Sequence, residues 1–279
     1  MTRVRVHAVQ TGSVRVKATQ VRGHGSYLGR TLANLLSSSW VEVPIHAYVV
    51  EHPEGLIVID TGETGRAAVP GYFPSWHPYY RWALEMKVAP DQEVGPAIKR
   101  LGLSLSDVRW VVLTHLHTDH AGGLHHFRDA EILVSRAEHD RAAGPAGRVI
   151  GYLPNRWPGW FAPRLVDFSA RAIGPFAATL DLTKNGDVHV VSTPGHTPGH
   201  MSVVVEAEAT TYFLAGDASY DIAAMRDGVV DGIAPNAHIY LRTLSQVREF
   251  VDRSAAIYLP CHDAGVADRL TAAAPANPM

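Results

Sequence analysis

Residues Thr114–Gly123 read THLHTDHAGG, with three histidines and an aspartate inside the six positions 115–120. Side chains of that kind do not build a hydrophobic core. Residues two apart do not share a helical face, so His115, His117, Asp119 and His120 cannot act as a simple helical pair; in an extended turn they can converge on one point. The run before them, Trp110–Leu113 (WVVL), has the signature of a buried strand, and the AGG that follows permits a tight chain reversal. The motif therefore reads as the carboxyl end of a strand, where α/β proteins place their chemistry. Nitrogen and carboxylate donors without thiolate suit Zn²⁺, with Fe²⁺, Mn²⁺ or Co²⁺ also tolerated. Four such groups exceed what one tetrahedral ion needs from one loop, which suggests two ions.

The same strand, turn, ligand order recurs. His196 follows HVVSTPG, Asp217 follows TYFLAG and His262 follows AIYLPC. Further β-rich runs are expected at 4–10, 46–51, 56–60, 131–134, 188–192, 202–206, 211–214 and 256–259, with 110–113 among them. Helical patterns lie between, at Asp91–Leu101 with Asp91 placed to cap the N-terminus, and at Leu241–Val251. Strands and helices alternate on both sides of a Pro-, Gly- and Trp-rich segment, 144–174. The expected organisation is one α/β domain over 1–279, built from two similar halves joined there, since ligands are drawn from both.

Bulk composition narrows the function. The chain has 279 residues, 46% hydrophobic and 19% charged, and 27 acidic against 25 basic residues, with no long run of like charge. This offers no electrostatic footprint for nucleic acid or an anionic membrane, and a small, mostly neutral substrate fits better. A single cysteine, Cys261, excludes a disulfide framework and a thiolate-only metal site, and is expected to pack inward beside its ligand neighbour. The N-terminus alternates polar and apolar residues without the apolar stretch of a signal peptide, and no window suits a membrane span, so the expected location is the cytoplasm.

Sixteen histidines call for individual weighing. His125 and His126, close behind the motif, read as surface residues, with support of the site from behind its ligands as the alternative, and His200 reads as a hydrogen-bonding neighbour of the site and not a ligand. Two aromatic stretches, Gly71–Trp82 (GYFPSWHPYYRW) and Tyr152–Phe161 (YLPNRWPGWF), read as self-packed loops or a subunit interface, with a substrate wall as the other use of the same residues.

THLHTDH, PGHTPGH, GD and a late CHD, in that order, resemble the metallo-β-lactamase-fold hydrolases, and IDTG at Ile59–Gly62 looks like that superfamily's early turn. The resemblance implies a four-layered αβ/βα sandwich, two mixed sheets flanked by helices, with a dinuclear site. By analogy His115, His117 and His196 hold one ion, Asp119, His120 and His262 the second, and Asp217 bridges them.

Within the superfamily, aspartate at 217 differs from the cysteine or serine of the β-lactamases, and His117 stands where the di-iron redox branch has glutamate. Only seventeen residues follow His262 (263–279), leaving no room for the C-terminal helical domain of glyoxalase II. No basic patch suggests a tRNA nuclease. GDASY, with Tyr220 three residues after Asp217, is similar to the quorum-quenching N-acyl-homoserine lactone lactonases. That likeness implies lactone opening by a hydroxide shared between the ions, Tyr220 stabilising the oxyanion and Asp119 passing a proton to the leaving alkoxide. Other esters, thioesters or phosphotriesters remain rival substrates for the same site, and a non-catalytic metal-binding protein is a rival of another class. A homodimer is compatible with the aromatic segments.

Overall fold

The computed structural model describes residues 4–168, 171–177, 179–208 and 210–272. Residues 169–170 of the expected joining segment, and the two ends of the expected 1–279 domain, lie outside the described residues. Twelve strands are found among those described: β1 Arg5–Lys17, β2 Trp40–Glu51, β3 Leu56–Ile59, β4 Leu84–Lys87, β5 Val108–Val112, β6 Glu131–Ser135, β7 Arg164–Val166, β8 Thr179–Asp181, β9 Val188–Ser192, β10 Met201–Ala207, β11 Thr210–Gly216 and β12 Ile257–Pro260. They form a seven-stranded sheet in the order β4-β1-β2-β3-β5-β6-β7 and a five-stranded sheet in the order β12-β11-β10-β9-β8. Both are mixed. β3, β5, β6 and β7 pair in parallel beside the antiparallel β1–β2–β3 meander, and β11–β12 is the parallel pair of the second sheet.

Alternation along the strands decides what each face covers. Tyr48, Val50, Ile57, Ile59, Trp110 and Val112 of the first sheet pack against Val190, Met201, Val203, Leu214 and Leu259 of the second, forming the core between the sheets. Their neighbours Val49, Val58 and Val111 point the other way, onto Val94, Ala97 and Ile98 of the helix Val94–Arg100. On the far side Val204, Phe213 and Tyr258 receive Tyr240, Leu244, Val247 and Val251 of the helix Ala237–Ser254. Helix, sheet, sheet, helix is the four-layered sandwich.

Several local expectations change. Asp91 does not cap a helix: it lies in the 3-10 turn Pro90–Gln92, and the helix begins at Val94 with Glu93 before it. Pro90 favours that tight turn, because its fixed φ suits a first helical position. The second helix starts at Ala237, four residues before the expected Leu241, because Asn236 caps it by accepting from the His238 and Ile239 N–H groups. The helix Tyr27–Leu36 had no counterpart in the expected pattern. It is turned inside out: Arg30 and Asn34 are buried, while Leu28, Leu32 and Leu36 are exposed. Arg30 can go inside because its guanidinium donates to the Gly25 and Ala234 carbonyls at 2.6 and 2.7 Å.

Candidate metal centre

β9 and β11 both run antiparallel to β10, and β12 runs parallel to β11, so these three strands end at one edge. The end of β5 joins them there: the Met201 N–H donates to the Thr114 carbonyl at 2.9 Å. The segments after these four strands carry all seven singled-out imidazoles and carboxylates, with Asp119 and His120 on the short helix Thr118–Ala121 and not in the extended turn expected from the sequence. His115, His120, His196, Asp217 and His262 are buried and His117 and Asp119 partly so. Gly216 makes the β11 turn possible. Its φ is +56°, and a Cβ there would meet the Thr114 side chain at 2.7 Å.

Two subclusters form around Asp217. His117 Nδ1 lies 2.9 Å from His115 Nε2 and 3.1 Å from His196 Nε2. Across from them, His262 Nε2 lies 3.5 Å from Asp119 Oδ2, and His120 Nε2 lies 3.9 Å from the same oxygen. Asp217 spans both groups: Oδ2 is 3.4 Å from His196 Nε2, while Oδ1 is 3.4 Å from His120 Nε2 and 3.3 Å from His262 Nε2. His115 stands close to both, its ring 4.1 Å from that of His120.

Outer groups dictate which nitrogen of each ring carries its hydrogen. His120 Nδ1 donates to Asp60 Oδ2 at 2.8 Å, His196 Nδ1 to Asp231 Oδ2 at 2.7 Å, and His262 Nδ1 to the Pro44 carbonyl at 2.8 Å. The Thr114 hydroxyl donates to Asp60 Oδ2 and so accepts from His115 Nδ1 at 3.1 Å. Four rings are thereby left with a bare Nε2 lone pair, and all four lone pairs aim into the cluster. Converging acceptors repel unless a cation sits between them. In agreement, His120 Nε2 and Asp217 Oδ1 are buried with no hydrogen-bond partner. A tetrahedral ion with bonds of about 2.1 Å places neighbouring ligands about 3.4 Å apart, which is the spacing around Asp217. The donor set fits divalent cations.

The electrostatics agree. Burial lowers the affinity of every imidazole here for a proton. At His115 and His117 the neighbouring rings add to it, holding both well below the usual histidine range. At His120, His196 and His262 burial is the largest single effect but is outweighed by carboxylates, Asp217 and Asp60 for the first, Asp231 and Asp217 for the second, Asp217 for the third. Asp217 itself is held well below the carboxylate range: burial opposes ionisation and His262, His120 and His196 overcome it. The centre attracts positive charge, as protons or as metal.

A cavity of about 410 Å³ opens onto the cluster. His117, Asp119, His196, Asp217, Tyr220 and His262 line its floor, and Val14, Val16, Tyr27, Tyr79, Tyr80, Leu84 and Ile150 its largely apolar walls. The aromatic segments split their duties: Tyr79, Tyr80 and Tyr152 face the cavity, Trp157 and Phe161 pack on the first helix layer, and Trp76 and Trp82 are exposed. Tyr220 stacks on His262 with centroids 5.1 Å apart. His200 accepts from the Asp217 N–H at 3.0 Å, and burial takes its pKa down to about 3, so it remains a neutral acceptor. Cys261 is buried, its thiol donating to Asp60 Oδ2 at 3.5 Å; burial pushes that thiol well up.

Four supporting residues had escaped notice in the sequence. Asp60 holds Thr114, His120 and Cys261 from a left-handed backbone (φ 58°), a conformation rare enough outside glycine to mark a constrained position; its setting in IDTG was the available signal. Asp231 orients His196. Glu138 ties the His115–His120 segment to the His196 loop by accepting from the Leu116 N–H at 3.0 Å and the Thr197 hydroxyl at 2.7 Å. Gln20 donates from Nε2 to both the Tyr220 and Tyr79 hydroxyls, at 2.8 and 2.9 Å. None of the last three carries a local sequence pattern.

The metallo-beta-lactamase superfamily model matches residues 40–262, and the chain belongs to that superfamily. Among its relatives is the N-acyl homoserine lactonase AttM of Rhizobium radiobacter, 26% identical over 275 residues that span 94% of each chain. An N-acyl homoserine lactone hydrolase solved with the product N-hexanoyl-L-homoserine at its catalytic metal centre superposes with a TM-score of 0.74 at 21% identity, covering 96% of both chains. AidC, a dizinc quorum-quenching lactonase in complex with its product, superposes at 0.63 with 15% identity over 95% of this chain and 90% of its own. These two structural likenesses bear on the fold.

Proposed function

We propose that this chain is a metal-dependent hydrolase that opens the lactone ring of N-acyl-homoserine lactones. The observation that carries the reading is the convergence of bare imidazole and carboxylate donors on the floor of an apolar-walled cavity, in a chain whose curated relative over nearly its whole length is a lactonase. His115, His117 and His196 would hold one ion, Asp119, His120 and His262 the other, and Asp217 both. Two divalent cations, zinc first among those suited to nitrogen and carboxylate donors, with iron, cobalt or manganese also acceptable, would supply Lewis acidity and a water acidic enough to attack near neutral pH.

The protein's own groups do the rest. Gln20 gives both amide hydrogens to phenol oxygens, and this orientation is preferred because the reverse would leave two buried N–H groups unpaired instead of one carbonyl oxygen. The Tyr220 hydrogen is therefore free to be donated to the lactone carbonyl oxygen as it gains negative charge. Asp119 turns Oδ2 toward His120 and His262, and its second oxygen can carry a proton to the departing alkoxide. The apolar walls take the acyl chain and exclude water.

Chain 1–279 acts in this reading as one unit, because neither half alone carries a complete ligand set. A homodimer is part of it, supported by the exposed Leu28, Leu32 and Leu36 of one helix, and sedimentation velocity reads the mass. No helix among the described residues is long and apolar enough to cross a membrane.

The test is proton release by metal-loaded protein against short- and long-chain acyl-homoserine lactones, simple lactones, aryl esters, a phosphotriester and a glutathione thioester. Fast release with the acyl lactones is expected. Release with the thioester or phosphotriester alone would replace this substrate class.

A further inference from the structure

Metal-binding side chains gather a second time, outside the cavity. Glu93 precedes the helix Val94–Arg100, and His125 and His126 end the 3-10 turn Gly122–His126. Glu93 Oε1 is fully engaged, accepting from the Gly65 N–H at 2.8 Å and the Thr64 hydroxyl at 3.1 Å, which fixes the carboxylate and presents Oε2. Two imidazoles meet that one oxygen: His126 Nε2 at 2.8 Å and His125 Nε2 at 3.2 Å. The His126 ring is seated against Gly95, where a Cβ would come within 2.5 Å of its Nδ1. The side chains of Glu93 and His126 are 12% and 18% exposed and that of His125 47%, so the cluster is anchored on one side and open to water on the other.

An ordinary ion pair needs one imidazole. Here a second, half-exposed ring gives up its rotamer freedom to reach the same oxygen, with the two rings 4.0 Å apart, where two imidazolium charges would repel. Three ligand atoms mutually within 4.8 Å and a solvent-facing side match a site of two histidines and one carboxylate completed by water. We propose that Glu93, His125 and His126 form a further divalent-metal site, distinct from the central cluster, for a borderline ion such as zinc, nickel or cobalt. An ion there tightens more than its own ligands. Glu93 holds Thr64, the Thr64 N–H donates to Glu63 at 2.8 Å, and Glu63 in turn accepts from the Thr118 hydroxyl, next to Asp119. The site thus braces the loop behind the ligand-bearing turn.

The proposal is independent of the reaction and of the central ion count, because the test reads a difference between proteins. Wild type, His125→Ala and Glu93→Gln are dialysed to equilibrium against micromolar Zn²⁺, and bound zinc per chain is counted by plasma emission. Glu93→Gln keeps an oxygen for Thr64 and Gly65, and circular dichroism checks its fold. Each variant is expected to hold one ion fewer than wild type. Equal counts in wild type and His125→Ala, or an ion lost in His125→Ala but retained in Glu93→Gln, would overturn the site.

Discussion

Gln20 shows how a residue far away in sequence can govern a reacting group. It lies 200 positions before Tyr220 and touches no ligand, yet its amide determines where the Tyr220 hydrogen points. Tyr220→Phe is expected to keep its metal and to lose lactone turnover by about tenfold or more, a single hydrogen bond's share of a barrier. Gln20→Leu should lower kcat about fivefold with metal content and KM little changed, and the double variant should be no slower than Tyr220→Phe alone. Additive losses would show that Gln20 acts by another route. Asp217→Asn removes the charge that both subclusters share, so bound metal should fall along with activity; a fully metallated, active variant would remove Asp217 from its bridging role. The seven clustered residues were legible in the sequence because each is a metal-ligand type placed after a strand, four of them (Asp119, His120, His196 and Asp217) directly beside glycine or another of the seven. Gln20, Asp231 and Glu138 were not, since a lone polar residue gains meaning only from the partner that folding brings to it.

Strands and helices differ in the same way. The strands of the sheet centres were visible because burial on both faces demands continuous Val, Ile and Leu, as in Trp110–Leu113. β4, β7 and β8, of three or four residues each, are too short for a period to register and are held by their neighbours' edges. The helix Tyr27–Leu36 has an apolar stripe, but the stripe faces outward, so its periodicity misleads about which side is buried. β2 carries a pH-sensitive feature. Burial lowers the pKa of His46 to about 4, although its Nδ1 hydrogen bond to the Cys261 carbonyl works the other way. The unfolded chain takes up a proton near pH 6.5 and the folded chain does not until about 4. Stability contributed by neutral His46 is thus fully present above about 6.5 and declines as the pH falls toward 4, by about 3 kcal/mol in all. Urea midpoints of wild type and His46→Asn, compared at pH 7 and 4.5, should draw together on acidification; a constant gap would assign His46 no such role.

At the level of the molecule, the two sheets deliver four strand ends to one edge, and the clustered imidazoles and carboxylates come from both sides of the 144–174 segment. The superfamily's fold was readable because its histidine and aspartate motifs occur in a fixed order along the chain, whereas the cavity walls, drawn from the Val14, Tyr27, Tyr79 and Ile150 regions, are assembled only in three dimensions. All of the proposed chemistry depends on the floor of that cavity holding a pair of cations. Anomalous diffraction from zinc-loaded crystals, collected on both sides of the metal's absorption edge, tests this most directly. The predicted result is two peaks at the cavity floor, one among His115, His117 and His196, the other among Asp119, His120 and His262, with an Asp217 oxygen against each. A single peak, no peak, or Asp217 turned away from both would contradict it.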